Sequence, residues 1–254
     1  MASQRVAIVS GGASGIGKAT AEVFSKHGFR VVVLDIDQKG ASAISREGQR
    51  NVSFMLCDVT DEDQVKESIR NAQEEHKRID VLLNIAGAAL IQHVDKTTWE
   101  EYRRIVDLNL GGTFLLCKYV VPVMKAQRSG SIVNIGSVSA LAGQAFRTLY
   151  SASKGAVVSF TKSLAWELAP FGIRVNCINP GLIETPLFRR NVEIEAKIRG
   201  IPSEELRQRK KSDQAFGRFA DPQEVAEVAY FLASGAASFV NATDIPVDCG
   251  WSAK

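Results

Sequence analysis

Seven short apolar runs rich in β-branched residues punctuate the chain: RVAIV (5–9), RVVVL (30–34), VSFMLC (52–57), IDVLLN (79–84), GSIVNI (130–135), IRVNCI (173–178) and DIPVD (244–248). The first six carry little polar alternation, the pattern of parallel strands covered on both faces. Segments of helical length separate them. Residues 61–77 open on acids (DEDQV) and close on bases (HKR), as the dipole of a helix favours. Strand and helix alternate nearly throughout, which predicts an α/β fold built on a doubly wound parallel sheet of seven strands. One stretch breaks the rhythm: 186–213, PLFRRNVEIEAKIRGIPSEELRQRKKSD, is highly charged and does not lead promptly into another strand. An insertion of that length after a strand end is expected to serve function.

No linker rich in Pro, Gly or Ser and no repeat divides the 254 residues, so one domain is expected over 1–254. A composition of 45% hydrophobic and 23% charged residues suits a globular chain with a large core. The formal charge of +3, without a block of Lys or Arg, argues against a nucleic-acid partner. Cys57, Cys117, Cys177 and Cys249 form no C-x-x-C and have no His at ligand spacing, so reduced thiols are expected, with neither a disulfide framework nor a metal site. The first apolar run is too short for a secretory signal, and no window reads as long and apolar enough to span a bilayer. A soluble cytoplasmic protein without membrane contact, acting on a small molecule, is the expectation.

Candidate chemistry begins at VAIVSGGASGIGKAT, where Gly11, Gly15 and Gly17 lie between the first strand and the first helix. Residues without a Cβ let the backbone approach a pyrophosphate, and the N–H groups at the helix start supply partial positive charge. The second strand then ends at Asp35, eighteen residues after Gly17. A carboxylate there accepts hydrogen bonds from ribose hydroxyls and repels a 2′-phosphate, which points to NAD as cofactor. The competing role for Asp35 is to cap the following helix start, and Asp58, at the end of the third strand, has the same two readings.

At the other end of the chain, LYSASKG sets Tyr150 and Lys154 one helical turn apart among small residues. A free phenol titrates near pH 10, and a cation held beside it favours the phenolate, so Lys154 is expected to lower the pKa of Tyr150 and make it an acid/base for an alcohol or carbonyl oxygen. Ser137 falls just beyond the fifth strand, where ligands of such sheets bind.

The glycine spacing G-x-x-x-G-x-G together with YSASK, CDVT (57–60), NIAG (84–87), DLNLGGTF (107–114), IVNIGSVSA (132–140) and INPGLIETP (178–186) resembles the short-chain dehydrogenase/reductase family over essentially the whole length. The resemblance implies a Rossmann-type fold and hydride exchange with a nicotinamide, with Asn109, Ser137, Tyr150 and Lys154 as the catalytic set. In that set Ser137 hydrogen-bonds the reacting oxygen, Tyr150 moves the proton, Lys154 also holds the nicotinamide ribose, and Asn109 holds a water leading from the lysine. It further places Ser14, Ile16, Ile36, Val59, Asn84, Ala86 and Gly87 along the dinucleotide. Pro180, Gly181, Ile183 and Thr185 fall on its nicotinamide side. The long helices near 100–126 and 150–169 are expected to pair between subunits of a homotetramer, or else a dimer.

Three departures from the family pattern stand out. Ser10 replaces a threonine, Ile85 replaces a second asparagine, and NATDIPVDCGW lacks the glycine before its last strand and has Cys249 for another. For the substrate, the resemblance implies a loop after the sixth strand that closes over it, and the matching insertion is 186–213. Leu187 and Phe188 are expected as apolar walls, Ser139, Gln144 and His93 as rim residues, and Arg147, Arg189 or Arg190 as partners for an anionic group. The leading function is an NAD(H)-dependent interconversion of a secondary alcohol and its ketone, of sugar, polyol or hydroxy-acid type. An NADPH-dependent 3-oxoacyl-thioester reductase shares the motifs but not the preference implied by Asp35. An NAD-sensing regulator without turnover has no need of the full catalytic set.

Overall fold

The apolar runs form one parallel sheet in the computed structural model, which describes residues 4–38, 40 and 51–254. Its strands are β1 (Val6–Ser10), β2 (Arg30–Asp35), β3 (Val52–Leu56), β4 (Val81–Asn84), β5 (Gly130–Ile135), β6 (Ile173–Pro180) and β7 (Asp244–Val247). They lie in the order β3-β2-β1-β4-β5-β6-β7, every neighbouring pair parallel. The chain runs outward from β1 in one direction, then returns to β4 on β1's other side. Loops leaving these two strands therefore diverge and open a crevice at the C-terminal end of the sheet. Register aligns that end: Ser10 stands level with Asn84, Asn84 with Asn134, and Asn134 with Cys177.

Alternation along each strand feeds two cores, because successive side chains point to opposite faces. Ala7, Val9, Val31, Val33, Leu83 and Val133 pack under α1 (Gly15–Lys26) and the late helix Pro222–Ala233. Ile8, Val32, Leu34, Leu82 and Ile132 pack under α2 (Glu62–His76), α4 (Gly112–Gln127) and α5 (Thr148–Leu168). Helix α2 lies within the expected 61–77, and Asp61 caps it by accepting from the N–H groups of Asp63 and Gln64. Before α4, α3 (Trp99–Val106) begins on a capping box of Thr98 and Glu101 and runs through a π-helical turn, Asp107–Gly111.

The continuous helix Trp99–Gln127 corrects one expectation, since by length and composition it is long and apolar enough to cross a membrane. The fold explains its apolarity otherwise: Leu116, Cys117, Val120 and Met124 are fully buried in the core. The insertion at 186–213 is likewise no open loop. It forms α6 (Pro186–Arg199) and α7 (Ser203–Ser212), with Phe188, Val192 and Ala196 at four-residue spacing on one face of α6, packed with Leu206 and flanked by Phe219. The remaining helix, α8 (Pro222–Ala233), starts on a capping box of Asp221 and Glu224.

Both glycine departures near the C-terminus occupy left-handed backbone, Ala242 at φ 60° and Cys249 at φ 58°. A side chain costs about 1–2 kcal/mol in that region, and part of the gain on its removal is offset by the freer unfolded chain. Ala242→Gly is expected to raise stability by about 0.5–1 kcal/mol in urea denaturation; a loss of stability would show that the methyl's packing against the core outweighs the strain.

Candidate active site

The crevice between β1 and β4 has about 1390 Å³ of free space. Gly11, Ser14, Gly15, Ile16 and Gly17 form one wall, Asp35, Ile36, Asp58 and Val59 one end, and Ile85, Ala86 and Gly87 lie on the β4 side. The close approach is built from glycine. A Cβ on Gly17 would stand 2.0 Å from the Gly11 carbonyl oxygen, and one on Gly11, itself at φ +68°, would stand 2.8 Å from the Ala86 nitrogen. Ser14, the N-cap of α1, makes no side-chain cap bond, leaving the first N–H groups of the helix uncapped at the wall. Glycine-lined walls, a helix N-terminus and a carboxylate at the far end fit a dinucleotide.

Asp35 lies at the crevice end with its carboxylate tied to backbone. Its Oδ2 accepts from the Ala13 N–H and its Oδ1 from the Asp37 N–H, each at 2.9 Å, so it shapes the turn while lining the crevice. Asp58 also does both: it lines the crevice while Oδ1 accepts from the Thr60 N–H and hydroxyl. Asn84 departs from expectation. Its side chain is buried and donates to Asn134 Oδ1 at 2.8 Å, facing the sheet interior because its β4 position points that way. Ser10 does the positioning nearby, its hydroxyl accepting from the N–H groups of Ile85 and Ala86 at 3.0 and 3.2 Å.

A second cavity, of about 800 Å³, continues from the crevice through the shared residues Ile16, Ile85, Gly87, Thr185 and Leu187. Ser137, Tyr150 and Lys154 line it together. The Ser137 N–H donates to Asn179 Oδ1 at 3.1 Å, its Oγ accepts from the Ser139 N–H, and its hydroxyl shares the cavity with the Tyr150 phenol, whose pKa it lowers. Lys154 is buried and donates from Nζ to the Ile135 carbonyl at 2.8 Å. Asn109, fully buried in the π-helical turn, accepts from the Ala88 N–H and donates to the Ala88 carbonyl and Ser153 Oγ. It thereby fixes the loop after β4 beside the lysine, and a Cβ on Gly87 would stand 2.8 Å from Asn109 Oδ1 and 3.4 Å from Lys154 Nζ.

The electrostatics correct the expected pairing. Burial pushes the Tyr150 phenol up, opposed by the Ser137 hydroxyl and by the charge of Arg147. The Lys154 ammonium donates to the β5 carbonyl, and the charge that opposes the rise of the phenol is that of Arg147. Burial brings Lys154 itself down to about 8, with only the Cys177 thiol opposing. Two neutral or weakly held proton carriers within one cavity can exchange a proton with a substrate oxygen near neutrality.

The nicotinamide-side residues Pro180, Gly181, Ile183 and Thr185 all line the second cavity. Thr185 also caps α6, its hydroxyl accepting from the Phe188 N–H. Of the substrate candidates, Ser139, Gln144, Arg147, Leu187 and Phe188 line the cavity, with Ser139 donating to Gln144 Oε1. Arg189 does not: it is exposed and ion-paired with Glu184 at 2.6 Å, on the outer side of α6. Arg190 faces the dinucleotide crevice, and exposed His93 packs edge-on against Phe146 away from both cavities.

Sequence reasoning missed Asn179, which holds Ser137, and Glu195, which pairs with Arg147 across 48 residues. The Glu195 and Arg199 pair at i, i+4 was readable from spacing; its partners from other elements carry no local signature.

Residues 11–252 match a family model described as enoyl-(acyl carrier protein) reductase. The chain is 38% identical over 249 residues to the 3-oxoacyl-(acyl-carrier-protein) reductase FabG of Thermotoga maritima, covering 97% of each chain. It is 38% identical over 257 residues to the cis-4-hydroxycyclohexanecarboxylate dehydrogenase of Sinomonas cyclohexanicum, covering 98% of this chain and 97% of that one. The structure of the actinorhodin polyketide ketoreductase with NADPH superposes with a TM-score of 0.95 at 33% identity, covering 99% of this chain and 98% of the other.

The buried ammonium has a signature in stability. Its folded-state pKa of about 8 lies below the ordinary 10.5, so the unfolded chain binds more protons between those values. The resulting cost is full below pH 8 and disappears as pH rises toward 10.5. Replacing Lys154 by Met removes on the order of 3 kcal/mol of that cost and loses about 1 kcal/mol at the Ile135 carbonyl. Lys154→Met is expected to be the more stable protein at pH 7 and to lose that advantage by about pH 10.5, read by denaturant unfolding across pH. A variant destabilised equally at both pH values would contradict the assignment.

Proposed function

The chain belongs to the short-chain dehydrogenase/reductase family, and from that premise we propose that it is an NAD(H)-dependent oxidoreductase interconverting a secondary alcohol and its ketone. The observation that carries this reading is the grouping of Tyr150, Ser137 and Lys154 along one cavity that opens into the dinucleotide crevice. A bound nicotinamide supplies the hydride exchange. The chain's own part is the proton. Ser137 Oγ and the Tyr150 hydroxyl hold the substrate oxygen between them, and Tyr150 gives its proton to that oxygen in reduction or takes it in oxidation. Lys154, pre-positioned on Ile135, stabilises the phenolate as it forms and holds the ribose; Asn109 fixes the backbone next to it. A phenol held up by burial is protonated at neutrality and is ready first as a donor.

Asp35 supports NAD: both of its oxygens are held in place at the ribose end, where a 2′-phosphate would meet a fixed negative charge. The ketoreductase solved with NADPH marks the alternative within the family, a 3-oxoacyl-thioester reductase such as the Thermotoga relative is named for. The dehydrogenase of Sinomonas is named for a cyclic hydroxy acid, which supports the alcohol-oxidising reading. Exposed Trp99, Phe114 and Trp166 on α3, α4 and α5 support a homo-oligomer, a tetramer or else a dimer. Four free cysteines, three of them buried, support a reducing cytoplasmic setting.

A panel of secondary alcohols assayed by NADH formation tests the reaction, with Tyr150→Phe expected to lower kcat/KM by about 10²–10⁴-fold; undiminished turnover in that variant would remove Tyr150 from the mechanism. Fluorescence titration is expected to find NAD bound at least about ten-fold more tightly than NADP, with Asp35→Ser narrowing the gap. Equal affinities in the wild type would overturn the cofactor assignment.

A further inference from the structure

Arg147, the N-cap of α5 three residues before Tyr150, is 8% exposed. Its guanidinium makes a single hydrogen bond, from Nη2 to Glu195 Oε2 at 3.2 Å, so Nε and Nη1 have no protein acceptor among the described residues. A buried guanidinium left with most of its donors unbonded is costly unless something in the adjoining space meets them. That space exists. Arg147 lines both the cavity of Tyr150 and Ser137 and a neighbouring cavity of about 660 Å³, and no nitrogen of Arg147 is sealed in without a partner.

The charge around it is unbalanced. Glu195, 2% exposed, is the counter-ion for three cations: Oε2 meets Arg147 and Lys210 Nζ, the latter at 2.9 Å, and Oε1 meets Arg199 at 2.9 Å. One carboxylate against three cations leaves two positive charges in excess. Asp213, the other acid lining the neighbouring cavity, is already paired with Lys254 and accepts from Trp251 Nε1 at 2.7 Å. Burial holds the Lys210 ammonium below the usual lysine range even with Glu195 against it. An anion entering here gains from every one of these groups, and a planar guanidinium with free Nε and Nη1 suits a carboxylate.

We propose that Arg147, backed by Lys210 in the neighbouring cavity, forms a carboxylate-binding end of the substrate cavity, which makes small hydroxy acids and the matching oxo acids the preferred substrates, with the carbinol at Tyr150 and Ser137. The proposal rests on the oxidoreductase reading and names its substrate class. Arg147 lines the same cavity as Tyr150 and Ser137, so one small molecule in that cavity can reach both ends. Glu195 keeps Arg147 in place from α6 and is a positioning residue. A purely structural latch between α5 and α6 would use the same ion pair and show no preference for acids.

The test measures kcat/KM with NAD for 3-hydroxybutanoate and 4-hydroxypentanoate, each beside its own amide. It also measures the thermal shift produced by pentanoate, which has no carbinol, beside pentanamide. The acids are expected to exceed their amides by about ten-fold or more, and Arg147→Gln to shrink that ratio to about three-fold or less, chiefly through KM of the acid. Arg147→Lys restores part of the ratio. Should Arg147→Gln fail to fold, Lys210→Gln reads the same ratio from the half of the pair nearer the surface. A wild-type ratio near one, a ratio that survives both substitutions, or turnover confined to uncharged alcohols would overturn the proposal. If no alcohol is oxidised, the oxidoreductase reading fails by itself, and the carboxylate site is still decided by whether pentanoate stabilises the wild type and not Arg147→Gln.

Discussion

One bond joins the sheet to the chemistry: Lys154 Nζ donates to the carbonyl of Ile135, the last residue of β5, at 2.8 Å. The ammonium is buried, and no carboxylate acts on it among the described residues. A solitary buried cation lowers stability. It is tolerated where the carbonyls at a strand end and the backbone of a following loop can hold it, and that is also where the crevice of a doubly wound sheet opens. The apolar face of α5 seats the helix on the sheet, and this contact fixes the Lys154 side chain, one turn after Tyr150, at the end of β5.

The surrounding polar groups serve the same geometry. Asn109 sits in a π-helical turn, where the extra residue turns its amide onto the Ala88 backbone and Ser153 rather than along the helix. Asn179 holds the Ser137 N–H, and Asn134 links Asn84 on β4 to Thr161 on α5. These asparagines carry no charge and cost little to bury where they are bonded; Asn84 Oδ1 alone among them is buried without a partner. Charge is concentrated instead at two places: Lys154 in the cavity of Tyr150, and the Glu195 cluster, which reaches that cavity through Arg147. A site with its cations so disposed can bind a negative cofactor at one end and a negative substrate at the other without placing a carboxylate beside the reacting oxygen.

Legibility in the sequence depends on whether a feature is local. Apolar runs marked all seven strands to within two residues at nearly every end, since burial on both faces writes itself into consecutive residues. The glycines, Asp35, Ser137, Tyr150 and Lys154 were legible because each sits at a strand end or helix start that the pattern already located. What the spacing could not supply was side-chain direction. Tyr150 and Lys154 share a helix face, yet the ammonium turns to β5; Asn84 lies in a matching motif and points into the core toward Asn134 and Cys117. The pairing of Arg147 with Glu195 joins two elements whose relative placement only the folded chain fixes, and Arg189, equally basic on paper, faces away on α6. The charged insertion looked like a loop because its apolar stripe is only three residues wide on α6.

The fold keeps a buried, unpaired lysine poised to lose or hold its proton near neutrality. This is tested most directly by NMR of ¹³C-labelled lysine in the intact protein, with the Lys154 resonance assigned by its absence in Lys154→Met. That resonance is expected to titrate with a midpoint of about 8. A midpoint at the ordinary 10.5 would mean that the ammonium is solvated or paired after all, and would contradict the burial on which the chemistry of the site depends.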